Sequence, residues 1–106
     1  MSSNTATYVG RKVVDPNGNK VGKVSDIFSD SRSLEPKWVS VNLGITHPHH
    51  PLIPLHDAFV AESGQLVVPF EARLIKHAPA SHGVTPTTEE EAELERYYGL
   101  PPSGEG

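Results

Sequence analysis

Residues 20–30, KVGKVSDIFSD, place their apolar side chains at Val21, Val24 and Ile27, three residues apart. A flat strand repeats its inward side chains every two residues. The segment follows Pro16-Asn17-Gly18, a turn in which proline presets φ and Asn-Gly accepts positive φ at little cost, so a strand is still expected from Lys20 to Asp30. A β-bulge reconciles the two signals: one extra residue swings the later side chains to the other face and bends the strand. Bends of this kind curl a short sheet towards a barrel. The spacing thus predicts a small, curled, mainly β domain whose second strand is bulged or sharply bent between Val24 and Phe28.

The flanking segments agree. Tyr8 to Val14 reads as a first strand paired with the second across DPNGN. Lys37 to Leu43 alternates cleanly, with Val39, Val41 and Leu43 expected inward and Trp38, Ser40 and Asn42 outward. Pro51 to Leu55 is short and apolar, and its prolines confine it to a sheet edge or rim. Phe59 to Glu62 and Gln65 to Val68 flank Ser63-Gly64 as a second hairpin. Phe70 to His77 fits one or two helical turns, with Phe70 and Leu74 stacked at i, i+4. Thr87-x-x-Glu90 and Thr88-x-x-Glu91 both satisfy the capping-box pattern. A helix from about residue 88 to residue 98 is expected there, with a narrow stripe of Leu94, Tyr97 and Tyr98, ended by Gly99 and Pro101-Pro102.

At 106 residues the chain is expected to be one domain. The boundaries are a disordered start over 1–7, the β domain over 8–80, a linker over 81–86, the helix over 87–99 and a frayed tail over 100–106. There is no cysteine, hence neither a disulfide nor a thiolate site. No leader-like start and no apolar run of membrane length are present, and a cytoplasmic protein is expected. The net charge of −4 is concentrated at one end. Residues 1–86 carry eight Lys/Arg against seven Asp/Glu, whereas residues 87–106 carry one against six. Nucleic-acid binders present a basic face. Only Lys12, Lys20 and Lys23 around the first hairpin could make one, so nucleic acid is not the expected partner.

In this order the segments resemble a PRC-barrel domain, the family named for the carboxy-terminal domain of the photosynthetic reaction-centre H subunit and also found in a ribosome-maturation factor. The resemblance is carried by Gly10-Arg-Lys-Val13 with Asp15, by Gly18 to Ile27, by Trp38-Val-Ser-Val41, by Leu52-Ile53-Pro54 and by Val67-Val68-Pro69-Phe70. The tail through Tyr97-Tyr98-Gly99 is similar to stand-alone bacterial members. The resemblance implies a β-barrel of five or six strands, a short helix after the last strand and an added carboxy-terminal amphipathic helix. It also implies an assembly or docking role with no catalytic residues to carry over.

The residues themselves offer two candidate sites. His47, His49, His50 and His56, with Asp57 beside the last, fall within a short proline-spaced stretch, and imidazole is a common ligand for zinc, copper or nickel. A β conformation would put His47 and His49 on one face, and polyproline II would align His47 with His50. The competing reading is a stiff polar surface loop. Trp38, expected to point away from the core, is either covered by the carboxy-terminal helix or serves with Leu94, Tyr97 and Tyr98 as an aromatic anchor for a partner. Ser25, Ser40 and Ser63 lie in no nucleophile motif, and Asp15, Asp26 and Asp30 read as turn and surface residues. The expectation is therefore a non-catalytic interaction module without a cofactor, pairing with another protein or with itself as a homodimer. The alternatives are a metal-binding or metal-sensing protein using residues 47–57, or an accessory factor touching RNA or the ribosome.

Overall fold

The computed structural model describes residues 8–29, 35–44 and 48–100. The expectations for the amino-terminal residues 1–7, for Asp30, for His47 and for the tail beyond Leu100 lie outside the described residues. Six strands form one sheet: β1 Lys12–Val14, β2 Lys20–Ser29, β3 Pro36–Asn42, β4 Leu52–Pro54, β5 Phe59–Val60 and β6 Leu66–Val67. Two helices follow, α1 Ala72–Lys76 and α2 Thr88–Tyr98. The strand order is β4-β3-β2-β1-β6-β5, so β4 and β5 are the edges and the sheet does not close on itself. The fold is thus the mainly β architecture expected, as a curled open sheet rather than a closed barrel.

The curl originates in β2. Its first residues pair with β1, Lys23 opposite Lys12 and Gly22 opposite Val13. Its later residues pair with β3, from Lys23 opposite Asn42 to Ser29 opposite Pro36. Between Val24, opposite Val41, and Asp26, opposite Ser40, Ser25 is the extra residue of a bulge. Val21 and Val24 are buried and Ile27 is half-buried against the same core, as the three-residue spacing requires. A single strand therefore pairs with β1 through its first residues and with β3 through its later ones, and the bulge follows directly on the switch at Lys23.

β1 is shorter than expected. Gly10 adopts φ 89°, and Arg11 N–H donates to the Tyr8 carbonyl, so residues 8–10 turn before the strand begins. β1 also pairs in parallel with β6, Val13 opposite Leu66. That pairing brings the second hairpin beside the first and buries Val13 and Leu66 completely.

The core contains Val39, Val41, Ile53, Leu66, Val68 and Ile75 on one side of β3 and its neighbours, all 0–1% exposed. The other side of β3 is not solvated as alternation implied. Trp38 and Ser40 are both fully buried, because α2 covers Trp38 and Ser25 Oγ lies 2.9 Å from Ser40 Oγ. The pairing of Phe70 with Leu74 also fails. α1 begins only at Ala72, so Phe70 precedes it and packs on Tyr98 with ring centroids 4.6 Å apart. Ile75 takes the inward position instead and Leu74 is left partly exposed.

Candidate functional site

Asp15 shows how the polar groups of this chain are spent. It is 2% exposed and accepts hydrogen bonds from Asn17 N–H at 3.0 Å, from Asn19 N–H at 2.8 Å and from Asn19 Nδ2 at 3.2 Å. A fourth comes from Ala72 N–H at 3.1 Å, at the start of α1. Burial alone would raise its pKa, but the donors of Ala72, Asn19 and Asn17 outweigh it and hold the carboxyl below its ordinary range. The residue expected in a turn is in a turn, and also ties that turn to a helix 57 positions away.

The four residues expected to anchor a partner, Trp38, Leu94, Tyr97 and Tyr98, converge on one another within this chain. α2 starts with a complete capping box, Thr87 Oγ1 accepting from Glu90 N–H and the Glu90 carboxylate accepting from Thr87 N–H. It ends at Gly99 in the left-handed conformation, φ 73°. The helix lies over β3 and β4. Leu94 and Tyr98 are buried, Tyr98 Oη donates to the Leu52 carbonyl at 2.6 Å, and Tyr97 Oη donates to the Leu74 carbonyl. Trp38 lies beneath it with no exposed surface, its Nε1–H donating to Glu91 Oε2 at 3.1 Å. Lys37 Nζ completes the contact, 3.7 Å from Glu91 and 3.6 Å from Glu95 and 5.7 Å from the Trp38 ring centre. In the single chain α2 covers Trp38. Sequence reasoning placed Glu91 in a capping-box pattern and overlooked Glu95. The available signal was their i, i+4 spacing, which puts both on one face.

Among the described residues, the histidines of this stretch, His49, His50 and His56, are not gathered. His49 Nε2 lies 2.9 Å from the Ala78 carbonyl, and because a carbonyl only accepts, that nitrogen carries the proton. The His50 carbonyl accepts from Ser81 N–H. His56 Nε2 lies 3.4 Å from Asp57 on the exposed surface. His49 and His56 line different clefts, the first with Lys20, Lys76 and His77, the second with Lys37, Leu55 and Glu95. Among the described residues no three His, Cys, Asp or Glu side chains are placed to share a metal ion.

The two sheet edges differ. β4 is covered by its own chain: Leu52 N–H donates to the Pro79 carbonyl, Ser81 N–H to the His50 carbonyl, and Pro51 bridges Ala80. Beyond β5 no strand pairs among the described residues. Phe59 and Val60, which constitute β5, are 59% and 41% exposed. Sequence patterning placed them in a hairpin but could not show that the hairpin ends the sheet. Among the described residues no helix is long and apolar enough to cross a membrane.

No curated protein matches the chain significantly. The family model of the PRC-barrel domain, however, matches residues 4–77, a span that ends at α1 and leaves α2 outside. With the bulged second strand, the six-stranded curled sheet and a match over well over half of its length, the chain belongs to the PRC-barrel domain family.

Proposed function

We propose that this protein is a non-catalytic interaction module that docks through the open β5 edge. The observation that carries the reading is the asymmetry of the edges. One is sealed by residues 79–81 and by α2, while the other presents two adjacent large apolar side chains to solvent. An unpaired edge is a template for a further strand, and its apolar side chains add area to such a contact. A PRC-barrel domain suggests a protein-interaction or assembly role in general, which agrees. The buried polar side chains Asp15, Ser40 and Glu95 are each engaged in holding elements together, which supports reading them as structural rather than catalytic.

A second copy is the simplest partner, because two β5 edges meeting antiparallel across a two-fold axis would give the symmetry most homo-oligomers use. Light scattering of the full chain across micromolar concentrations tests this. The wild type should form a dimer, and Phe59→Asp combined with Val60→Lys should be a monomer with an unchanged circular dichroism spectrum. A folded wild type that stays monomeric at high micromolar concentration would refute self-pairing. If partners captured from a native extract bind the double variant as well as the wild type, β5 is not the docking edge.

A further inference from the structure

A second surface, sharing no residue with β5, gathers basic side chains around an apolar floor. It is a cleft of about 720 Å³ where the first hairpin, the segment after Pro48 and the end of α1 meet. Its floor is apolar, formed by buried Val21 and Gly22 and half-buried Leu43. Four side chains stand around it, Lys20, His49, Lys76 and His77, and all four are exposed. Among the described residues no acidic residue lines it and neither Lys20 nor Lys76 pairs with a carboxylate. His49 is held in place through its bond to the Ala78 carbonyl, so this wall exists before any ligand arrives. The cleft lies at the carbonyl end of α1, which would repel an anion. Three contacts counter this: His77 N–H and Tyr97 Oη donate to the Leu74 carbonyl, and Ala78 N–H donates to that of Ile75. Among the described residues, these two lysines share one cleft with no carboxylate beside them, in a chain whose net charge is −4.

We propose that this cleft binds a carboxylate-rich peptide segment of a partner protein. Acidic side chains reach Lys20 and Lys76, and an apolar side chain between them rests on Leu43 and Val21. The charge of the rim calls for an anion, and the apolar floor calls for one carried on a chain with apolar side chains. The lysines are point charges, which suit a carboxylate as well as a phosphate, so the apolar floor is what selects the carrier. Two of them neutralise too few phosphates for useful nucleic-acid affinity. A second copy offers exposed acids at Glu89 and Glu93, but Leu94 and Tyr98 of that helix face its own sheet, which leaves the smaller Val84 as the exposed apolar side chain beside those acids. A segment from another protein fits the floor better.

The probe is a fluorescently labelled peptide, Glu-Glu-Leu-Glu-Glu, titrated with the full chain and read by anisotropy at two salt concentrations. Reversing an exposed charge removes an attraction and adds a repulsion of similar size. Lys20→Glu and Lys76→Glu should therefore each weaken binding about tenfold. Lys23→Glu makes the same charge change outside the cleft and should weaken it less than about twofold. Circular dichroism and melting temperature establish that each variant is folded. No binding by the wild type, or equal weakening by all three variants, would overturn the proposal. So would equal affinity for the peptide with serine in place of leucine, which would remove the floor from the argument. Tighter binding of inorganic phosphate or of an oligonucleotide would overturn the ligand class. Loss of self-association in Lys20→Glu without peptide present would identify a second copy as the occupant instead.

Discussion

Gly22 lies at a close approach of β2 to β3, and replacing it with alanine tests the account of the curl. It sits on β2 just before Lys23, the residue paired with both β1 and β3. A Cβ built there meets the Asn42 carbonyl oxygen inside van der Waals contact and stands 2.8 Å from Val41 Cγ1. The carbonyl belongs to the backbone of β3 and cannot rotate away, so the strands must separate. Overpacking of this kind costs about 1–3 kcal/mol, offset by about 0.4–1 kcal/mol because alanine has less freedom to lose from the unfolded chain. The net should be a loss of about 1–2 kcal/mol, or roughly 4–10 °C in Tm for a domain of this size. Gly83→Ala is the control: its Cβ meets nothing, so only its φ of 85° opposes the substitution. Urea denaturation of Gly22→Ala, Val41→Ala and the double variant separates the two obstacles. If the carbonyl is the obstacle, removing the valine methyls leaves the penalty in place, and the coupling energy stays below about 1 kcal/mol. Full rescue by Val41→Ala, or a Tm for Gly22→Ala within about 2 °C of wild type, would refute the close-approach argument.

Glu91→Ala should leave the buried Trp38 Nε1–H without its acceptor and cost about 1–3 kcal/mol, whereas Glu91→Gln keeps an acceptor and costs less. The chain has one tryptophan, so a red shift of its emission on removing residues 87–106 reports directly whether α2 covers it. Tyr98 should contribute an alkaline limit. Burial, aided by Tyr97, pushes its phenol well above the ordinary range, so its stabilising contribution is complete below about pH 10 and falls as pH rises further. Tyr98→Phe should lose about 0.5–1.5 kcal/mol at neutral pH with the bond to Leu52, yet show a shallower decline in alkali when urea midpoints are compared. Asp15 has the opposite sign. Its carboxyl is held below the ordinary value near 3.8, so the stability it contributes is present above that value and is lost as pH falls through the native one. Asp15→Asn should be less stable at neutral pH and should flatten the acid limb of a Tm-versus-pH curve.

The local elements of this protein were legible where short-range physics decides them. The Asn-Gly turn, the three-residue slip in β2, the prolines that confine β4 to an edge and the capping box of α2 all act through neighbours within a few positions. Each survived into the fold. Alternation failed where a long-range neighbour supplied a second cover. Ser40 and Trp38 read as outward, and α2 and Ser25 buried them. Phe70 was assigned to a helix that starts later, at the residue whose N–H donates to Asp15. The candidate surfaces were the least legible part. The parallel pairing of β1 with β6 makes β5 an edge. Lys20 and Lys76 come to one cleft only because residues far apart in the chain are brought together there. Periodicity reports which face of an element is apolar. It carries no information about which distant segment will cover that face, and among the described residues that covering decided both which edge has no further strand and which lysines lie without a carboxylate partner.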